Sequence, residues 1–202
     1  MNVFKKLYKD LKRKYGPPKG QWSLWCKRPK TEREREKVLI GAILTQRTNW
    51  KNVDLVFRKL KGAKVVSLRD ILRLGPRKIR DLIKPSGFYK TKSRYLTNLI
   101  RFVFKDYGSL TEIKKADIKE VREQLLKLKG IGPETADSIL LYALDKPVFV
   151  IDEYTKRLVR KYDLAKELSY NFLQKLFEKN LRKDFRLYQD FHALIVIDGQ
   201  NR

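Results

Sequence analysis

The sequence predicts an all-α protein, and three observations carry that expectation. Apolar residues recur at helical spacing along most of the chain: Phe4, Leu7 and Leu11, then Val38, Ile40, Ile43 and Leu44, then Val53, Val56, Phe57 and Leu60. Glycine and proline cut this pattern into helix-length pieces. The clearest short apolar run, Val148-Phe149-Val150-Ile151, has strand composition but no partner run of matching character, so it reads equally as a buried connector and no sheet is expected.

Taken in order, the first helix ends at Gly16-Pro17-Pro18-Lys19-Gly20, and residues 1–30 hold ten basic side chains against the one acid Asp10, an arm basic enough to lie on DNA. The middle of the chain breaks at Gly75-Pro76 and at Pro85-Ser86-Gly87. Residues 118–144 read as a helix from Ile118 to Leu128, a tight turn Lys129-Gly130-Ile131-Gly132, and a helix opened by Pro133 and running through Ala136, Ile139, Leu140 and Ala143. Proline suits that first helical position because the N–H there has no intrahelical partner. Glycines on either side of Ile131 permit backbone conformations closed to other residues, and the row of N–H groups at a helix N-terminus would hold a phosphate without reading any base. An ordinary helical hairpin, with glycines that only cap and allow close packing, fits the same residues. Asp152 follows the apolar run and precedes Glu153-Tyr154-Thr155-Lys156-Arg157-Leu158, the place of a helix N-cap.

Composition bounds the function. With 202 residues, the chain makes one domain or two small lobes sharing a cleft. Its 42% hydrophobic and 11% aromatic content is that of a folded protein, so the net charge of +25, from 48 Lys and Arg against 23 Asp and Glu, belongs to a surface. Such an excess favours a polyanionic partner, because each basic side chain set against a phosphate releases counterions. A hot habitat also enriches charge, but of mixed sign. One cysteine excludes a disulfide framework, a four-cysteine zinc site and a four-cysteine iron–sulfur cluster, and one histidine leaves little for a mixed metal site. The charged start MNVFKKLYKDLKRKYG is no signal peptide and no stretch approaches a membrane span, so a soluble intracellular protein is expected, in a prokaryote a cytoplasmic one associated with the nucleoid. There is no internal repeat and no low-complexity tract.

Together these motifs resemble a known family. The segment LLKLKGIGPETADSILLYAL, followed after a short loop by Lys146-Pro147-Val148-Phe149-Val150-Ile151-Asp152, is similar to the helix–hairpin–helix with Gly/Pro-rich loop and aspartate of the endonuclease III superfamily of DNA glycosylases. The resemblance extends to Gly41-Ala42-Ile43-Leu44-Thr45-Gln46-Arg47-Thr48-Asn49-Trp50 and to Pro85-Ser86-Gly87-Phe88-Tyr89-Lys90-Thr91-Lys92, and spans roughly residues 35–200. Within the family the chain looks like the branch related to bacterial 3-methyladenine DNA glycosylases, which resemble endonuclease III but lack its cluster.

The resemblance implies a central helical barrel of residues 31–146 containing the hairpin of 118–144, and a second lobe of residues 1–30 and 147–202, with Asp152 at the mouth of the cleft. It makes Asp152 the catalytic aspartate, an anion that stabilises positive charge on the sugar or orients a water. Bifunctional members carry in the second hairpin helix a lysine that forms a Schiff base; Glu134 stands there instead and cannot form an imine, which implies hydrolysis without strand cleavage. Chemistry on a base requires flipping it out of the stack, and by resemblance Gln46 is the plug and Phe88 the wedge. Trp50, one helical turn beyond Gln46, would offer a π-face to a cationic purine or else serve as a core aromatic, and Trp22 and Trp25 are further candidates for the base pocket. Lys129, Gly130, Ile131, Gly132 and Thr135 would meet the DNA backbone at the hairpin, and Tyr89, Lys90, Lys92 and Arg94 would meet phosphates beside the wedge. His192 reads as packed or hydrogen-bonded rather than catalytic, and Cys26 as a spare thiol.

Endonuclease III-like chains continue past the segment resembling Ala193-Leu194-Ile195-Val196-Ile197-Asp198-Gly199 into four cluster cysteines, whereas this sequence ends at Arg202, either naturally cluster-free or shortened. Cluster-free alkylpurine members can carry a modified lysine where Leu194 stands. No resident cofactor or metal is expected beyond a monovalent cation at the hairpin turn. The expected protein is a monomeric, monofunctional glycosylase acting on double-stranded DNA with a damaged base, foremost an alkylated purine such as 3-methyladenine. The alternatives are a glycosylase with abasic-site lyase activity, a mismatch enzyme removing thymine or uracil, and a non-catalytic DNA-binding module.

Overall fold

The computed structural model describes residues 2–201, and among them the chain forms helices, turns and extended connectors but no strand. It divides into two compact units: a terminal unit of Met1–Arg28 with Leu140–Arg202, and a central unit of Pro29–Ile139. No helix among the described residues is long and apolar enough to cross a membrane.

The central unit holds α3 (Glu32–Leu44), α4 (Trp50–Gly62), α5 (Leu68–Ile83), α6 (Tyr89–Phe102), α7 (Leu110–Lys115), α8 (Ile118–Lys127) and α9 (Pro133–Ser138); α1 (Val3–Tyr15) and α2 (Gln21–Trp25) precede them in the terminal unit. Thr31 starts α3 with a capping box: its hydroxyl accepts from Glu34 N, and the Glu34 carboxylate accepts from Thr31 N at 2.9 Å. From Val38 to Leu44 every residue is buried, the mark of a helix apolar on all sides and enclosed by its neighbours. Val53 and Val56 of α4, Ile79 and Ile83 of α5, and Leu96, Leu99 and Ile100 of α6 share that core. The break expected at Gly75-Pro76 is a kink inside α5, where Gly75 alone leaves helical geometry at φ 72°. The next break is a 3-10 turn, Lys84–Ser86, followed by Gly87 and Phe88 in succession at positive φ.

The hairpin forms as expected through Pro133, but the second helix changes pitch: α9 passes at Ile139 into a π-helical turn, Ile139–Ala143. Arg122 of α8 locks the pair by donating through Nε and Nη2 to the two carboxylate oxygens of the fully buried Asp137 at 2.7 and 3.0 Å.

In the terminal unit, α1 and α2 are joined by α10 (Glu153–Lys161), α11 (Tyr170–Asn180) and α12 (Phe185–Gln200). The run Val148–Ile151 is a buried connector rather than a strand. Side chains of α11 satisfy its backbone where a partner strand would otherwise be needed: Phe149 N donates to Glu178 at 2.9 Å, and Gln174 Nε2 donates to Phe149 O at 2.7 Å. The Phe149 ring stacks on Phe177 with centroids 4.5 Å apart, and Phe4 of α1 meets Phe177 edge-on at 5.0 Å.

Candidate active site

Asp152 ends the buried connector and caps α10. Its Oδ1 accepts from Thr155 N at 2.7 Å and from Thr155 Oγ1 at 2.9 Å, while Oδ2 lies 3.5 Å from His192 Nε2 on α12. Side-chain exposure is 14% for Asp152 and 6% for His192, so the carboxylate has a small opening to solvent and the imidazole almost none. Burial by itself pushes the carboxyl up; the His192 charge and hydrogen bond, followed by the two Thr155 donors, outweigh it and hold the group below the usual carboxylate range. The site therefore keeps an anion at neutral pH.

The second imidazole nitrogen fixes this arrangement. His192 Nδ1 lies 2.8 Å from the Tyr142 hydroxyl, which can also donate to Gln189 O at 3.2 Å. When the hydroxyl donates to Gln189, Nδ1 donates to the hydroxyl; when the hydroxyl turns to Nδ1, that nitrogen accepts and Nε2 carries a proton on the side of Asp152. Burial raises the Tyr142 hydroxyl well above its ordinary pKa, so it keeps the proton that this exchange requires. The expectation that His192 is packed or hydrogen-bonded holds through Nδ1 and Tyr142, and the structure adds that Nε2 lies 3.5 Å from Asp152.

Trp22 and Trp25 lie in the same unit. Their rings meet edge-on at 5.7 Å, both pack on Tyr142, and the Trp22 ring stands 5.9 Å from His192. Both are buried, at 5% and 4% exposure, and pack around Tyr142, with Trp22 beside the imidazole. Trp22, Cys26, Arg28, Asp190 and Leu194 line part of a cavity of about 310 Å³ in this unit.

The other candidates belong to the central unit. Phe88 is 61% exposed and held at φ 46°, a left-handed conformation that a bulky residue adopts only when its surroundings impose it. Gln46 is half-buried, and its amide donates to Gly130 O at 2.9 Å and Thr135 Oγ1 at 3.1 Å, which couples it to the hairpin turn. Trp50 does not continue the helix of Gln46: α3 ends at Leu44, Arg47 is left-handed at φ 52°, and Asn49 caps a new helix in which Trp50 comes first, half-buried and tilted against Phe57.

At the hairpin turn Lys129 is exposed, and Gly130 is required twice over. Its φ is 90°, and a Cβ there would stand 2.2 Å from the Tyr95 ring. Gly132 is extended at φ −91°, so the expectation that both glycines need conformations closed to other residues holds for Gly130 alone. Ile131 is a correction: its side chain is buried and its N–H donates to Leu128 O, so neither is offered to a phosphate. Lys92 is another. It is 2% exposed, and its ammonium donates to Leu44 O at 2.8 Å and Ser86 O at 2.7 Å, so it does not reach solvent as Lys90 and Arg94 do. Glu134 is exposed at the start of α9.

An iron–sulfur cluster of the family's four-cysteine kind does not fit these residues: the one cysteine, Cys26, is buried, its thiol 3.6 Å from Gln189 O. Among the described residues no group of three or more His, Cys, Asp or Glu is gathered to hold a metal ion.

Comparison with known proteins agrees with this architecture. Residues 40–183 match the family described as HhH-GPD superfamily base excision DNA repair protein. A Methanocaldococcus jannaschii protein named "Putative DNA repair glycosylase MJ1434" is 44% identical over 165 residues, covering 80% of this chain and 75% of that one. Endonuclease III of Thermotoga maritima is 27% identical over 158 residues, covering 77% and 70%. Among solved structures, H. pylori 3-methyladenine DNA glycosylase (MagIII) bound to 1,N6-ethenoadenine superposes with a TM-score of 0.80 at 30% identity, covering 99% of this chain and 97% of that one. The chain belongs to the HhH-GPD superfamily of base excision DNA repair proteins, with the endonuclease III-like helical fold of its DNA glycosylases.

Proposed function

We propose that this protein is a monofunctional DNA glycosylase that acts as a monomer on duplex DNA, hydrolyses the bond between a damaged base and its sugar, and calls on no resident cofactor. The observation that carries the reading is Asp152: a nearly enclosed carboxylate with one oxygen saturated by Thr155 and the other faced by His192, kept ionised below the usual range. In a site of low dielectric such an anion stabilises the positive charge that grows on the sugar as the C1′–N bond breaks and its electron pair leaves with the base. Water then bonds to C1′ and gives up a proton to Asp152 or to solvent. The covalent alternative needs an amine nucleophile, and the position that would supply it holds Glu134.

An alkylated purine is the favoured base. Support comes from the H. pylori relative, named for 3-methyladenine and holding ethenoadenine. A base already carrying positive charge leaves without a general acid, which suits a site whose carboxylate is held ionised. Release of free base from duplexes carrying 3-methyladenine or ethenoadenine, compared with duplexes carrying uracil or thymine opposite guanine, tests this. Alkylpurine release supports the reading; release confined to uracil or thymine overturns the substrate class while leaving the hydrolytic reading in place.

A further inference from the structure

Lys92 is buried in the central unit, and its ammonium is spent on main-chain carbonyls. The two carbonyls belong to different segments. Leu44 is the last residue of α3, two before Gln46 and three before the left-handed Arg47. Ser86 closes the 3-10 turn two residues before the left-handed, exposed Phe88. One side chain thus holds the roots of two strained turns, each of which carries a residue read above as inserting into DNA.

Other side chains extend this joinery. Gln46 donates to Gly130 O and to Thr135, and the Tyr95 ring, three residues beyond Lys92 on α6, lies against Gly130. Plug loop, wedge turn and hairpin turn are therefore wired together through α3 and α6. A buried ammonium is an expensive way to join two carbonyls, and burial brings its pKa down to about 8. Such a cost is familiar where a charged group fixes one geometry against its alternatives.

We propose that Lys92 is a positioning residue that ties the loop bearing Gln46 to the turn bearing Phe88, so that plug and wedge enter the base stack as one edge. The proposal rests on the reading of Gln46 and Phe88 as inserting residues. It predicts that Lys92→Met leaves non-specific DNA affinity unchanged, since the ammonium touches no phosphate, but loosens insertion. A misplacement of about 1 Å is enough for losses of about 100-fold.

The test uses the whole chain on a duplex containing a tetrahydrofuran abasic analogue with 2-aminopurine opposite it, whose fluorescence rises as the base unstacks. No base is excised, so the readout is independent of the lesion recognised. The wild-type protein should give the rise, and Phe88→Ala should abolish it. Lys92→Met should lower it about tenfold at saturating protein, and Lys92→Arg, which keeps the charge and donors, should recover part of it. All variants are compared below their melting temperatures, so that Lys92→Arg decides the matter if Lys92→Met does not fold. A full rise with Lys92→Met, or equal loss in Lys92→Met and Lys92→Arg with both folded, overturns the role of Lys92. A full rise with Phe88→Ala overturns the insertion reading beneath it.

Discussion

Asp152 in the terminal unit and Lys92 in the central unit are both buried charges, and their surroundings treat them in opposite ways. Asp152 sits among donors: two from Thr155, a third group from His192, and an N-cap position on α10. Burial works against its charge and is outweighed, so the folded protein favours the ion. Lys92 has neutral carbonyl acceptors at 2.8 and 2.7 Å, and burial lowers its pKa without an opposing partner. The fold spends interactions to keep the charge of Asp152 and tolerates a costly charge at Lys92. The proposed roles follow this difference, a reactive group at Asp152 and a fastening at Lys92.

This contrast can be broken at several points. The largest effect is expected from Asp152→Asn, which keeps the shape and removes the anion: base release should fall by about 1,000-fold with the melting temperature little changed. A loss of less than tenfold would remove Asp152 from the chemistry and reduce it to a cap. Next comes the hairpin. Gly130→Ala must place a methyl group inside the Tyr95 ring at φ 90°, and thermal unfolding should register about 3 kcal/mol of destabilisation. Unchanged stability would mean that the turn is not fixed against α6.

His192→Gln should lower the rate by about tenfold and, more tellingly, shift the acid limb of the pH–rate profile upward, because His192 is one of the groups that lower the Asp152 pKa. The sign follows from the folded value lying below the unfolded carboxylate value of about 3.9. Stability from Asp152 is fully present above that value and is lost as pH falls through the lower folded one; without His192 the loss starts at higher pH. An unmoved acid limb would detach His192 from Asp152. Tyr142→Phe should have the smallest effect, about threefold, since it leaves Nδ1 without its hydroxyl but keeps the ring that packs on Trp22 and Trp25.

The legibility of these two regions in the sequence differs for physical reasons. Asp152 was visible twice, as a cap after an apolar run and as the family's aspartate, because both signals are local. His192 and Tyr142 lie 40 and 10 residues away along the chain, and only folding brings one imidazole nitrogen to the carboxylate and the other to the Tyr142 hydroxyl. Lys92 was misread because Lys90, Lys92 and Arg94 alternate along α6 and look alike. The distinguishing signal was helical: Lys92 precedes Leu96 by four residues and Leu99 by seven, which puts it on the apolar stripe while its neighbours face water. The placing of Trp50 one helical turn beyond Gln46 fails for the opposite reason, since α3 ends at Leu44 and Asn49 caps the start of a new helix, so the spacing does not run along one helix. At the level of fold, the helical pattern and the break at Gly75-Pro76 were clear, and the π-helical turn after α9 was not, because it changes backbone geometry without interrupting the apolar periodicity.

The most direct test of the account incubates the purified protein with duplexes that each carry one lesion, namely ethenoadenine, 3-methyladenine, hypoxanthine, uracil, thymine opposite guanine or 8-oxoguanine, and assays strand breaks with and without alkali beside Asp152→Asn. The account predicts breaks at an alkylated purine that appear only after alkali and vanish in the variant. Breaks without alkali, or a variant as active as the wild type, would contradict it.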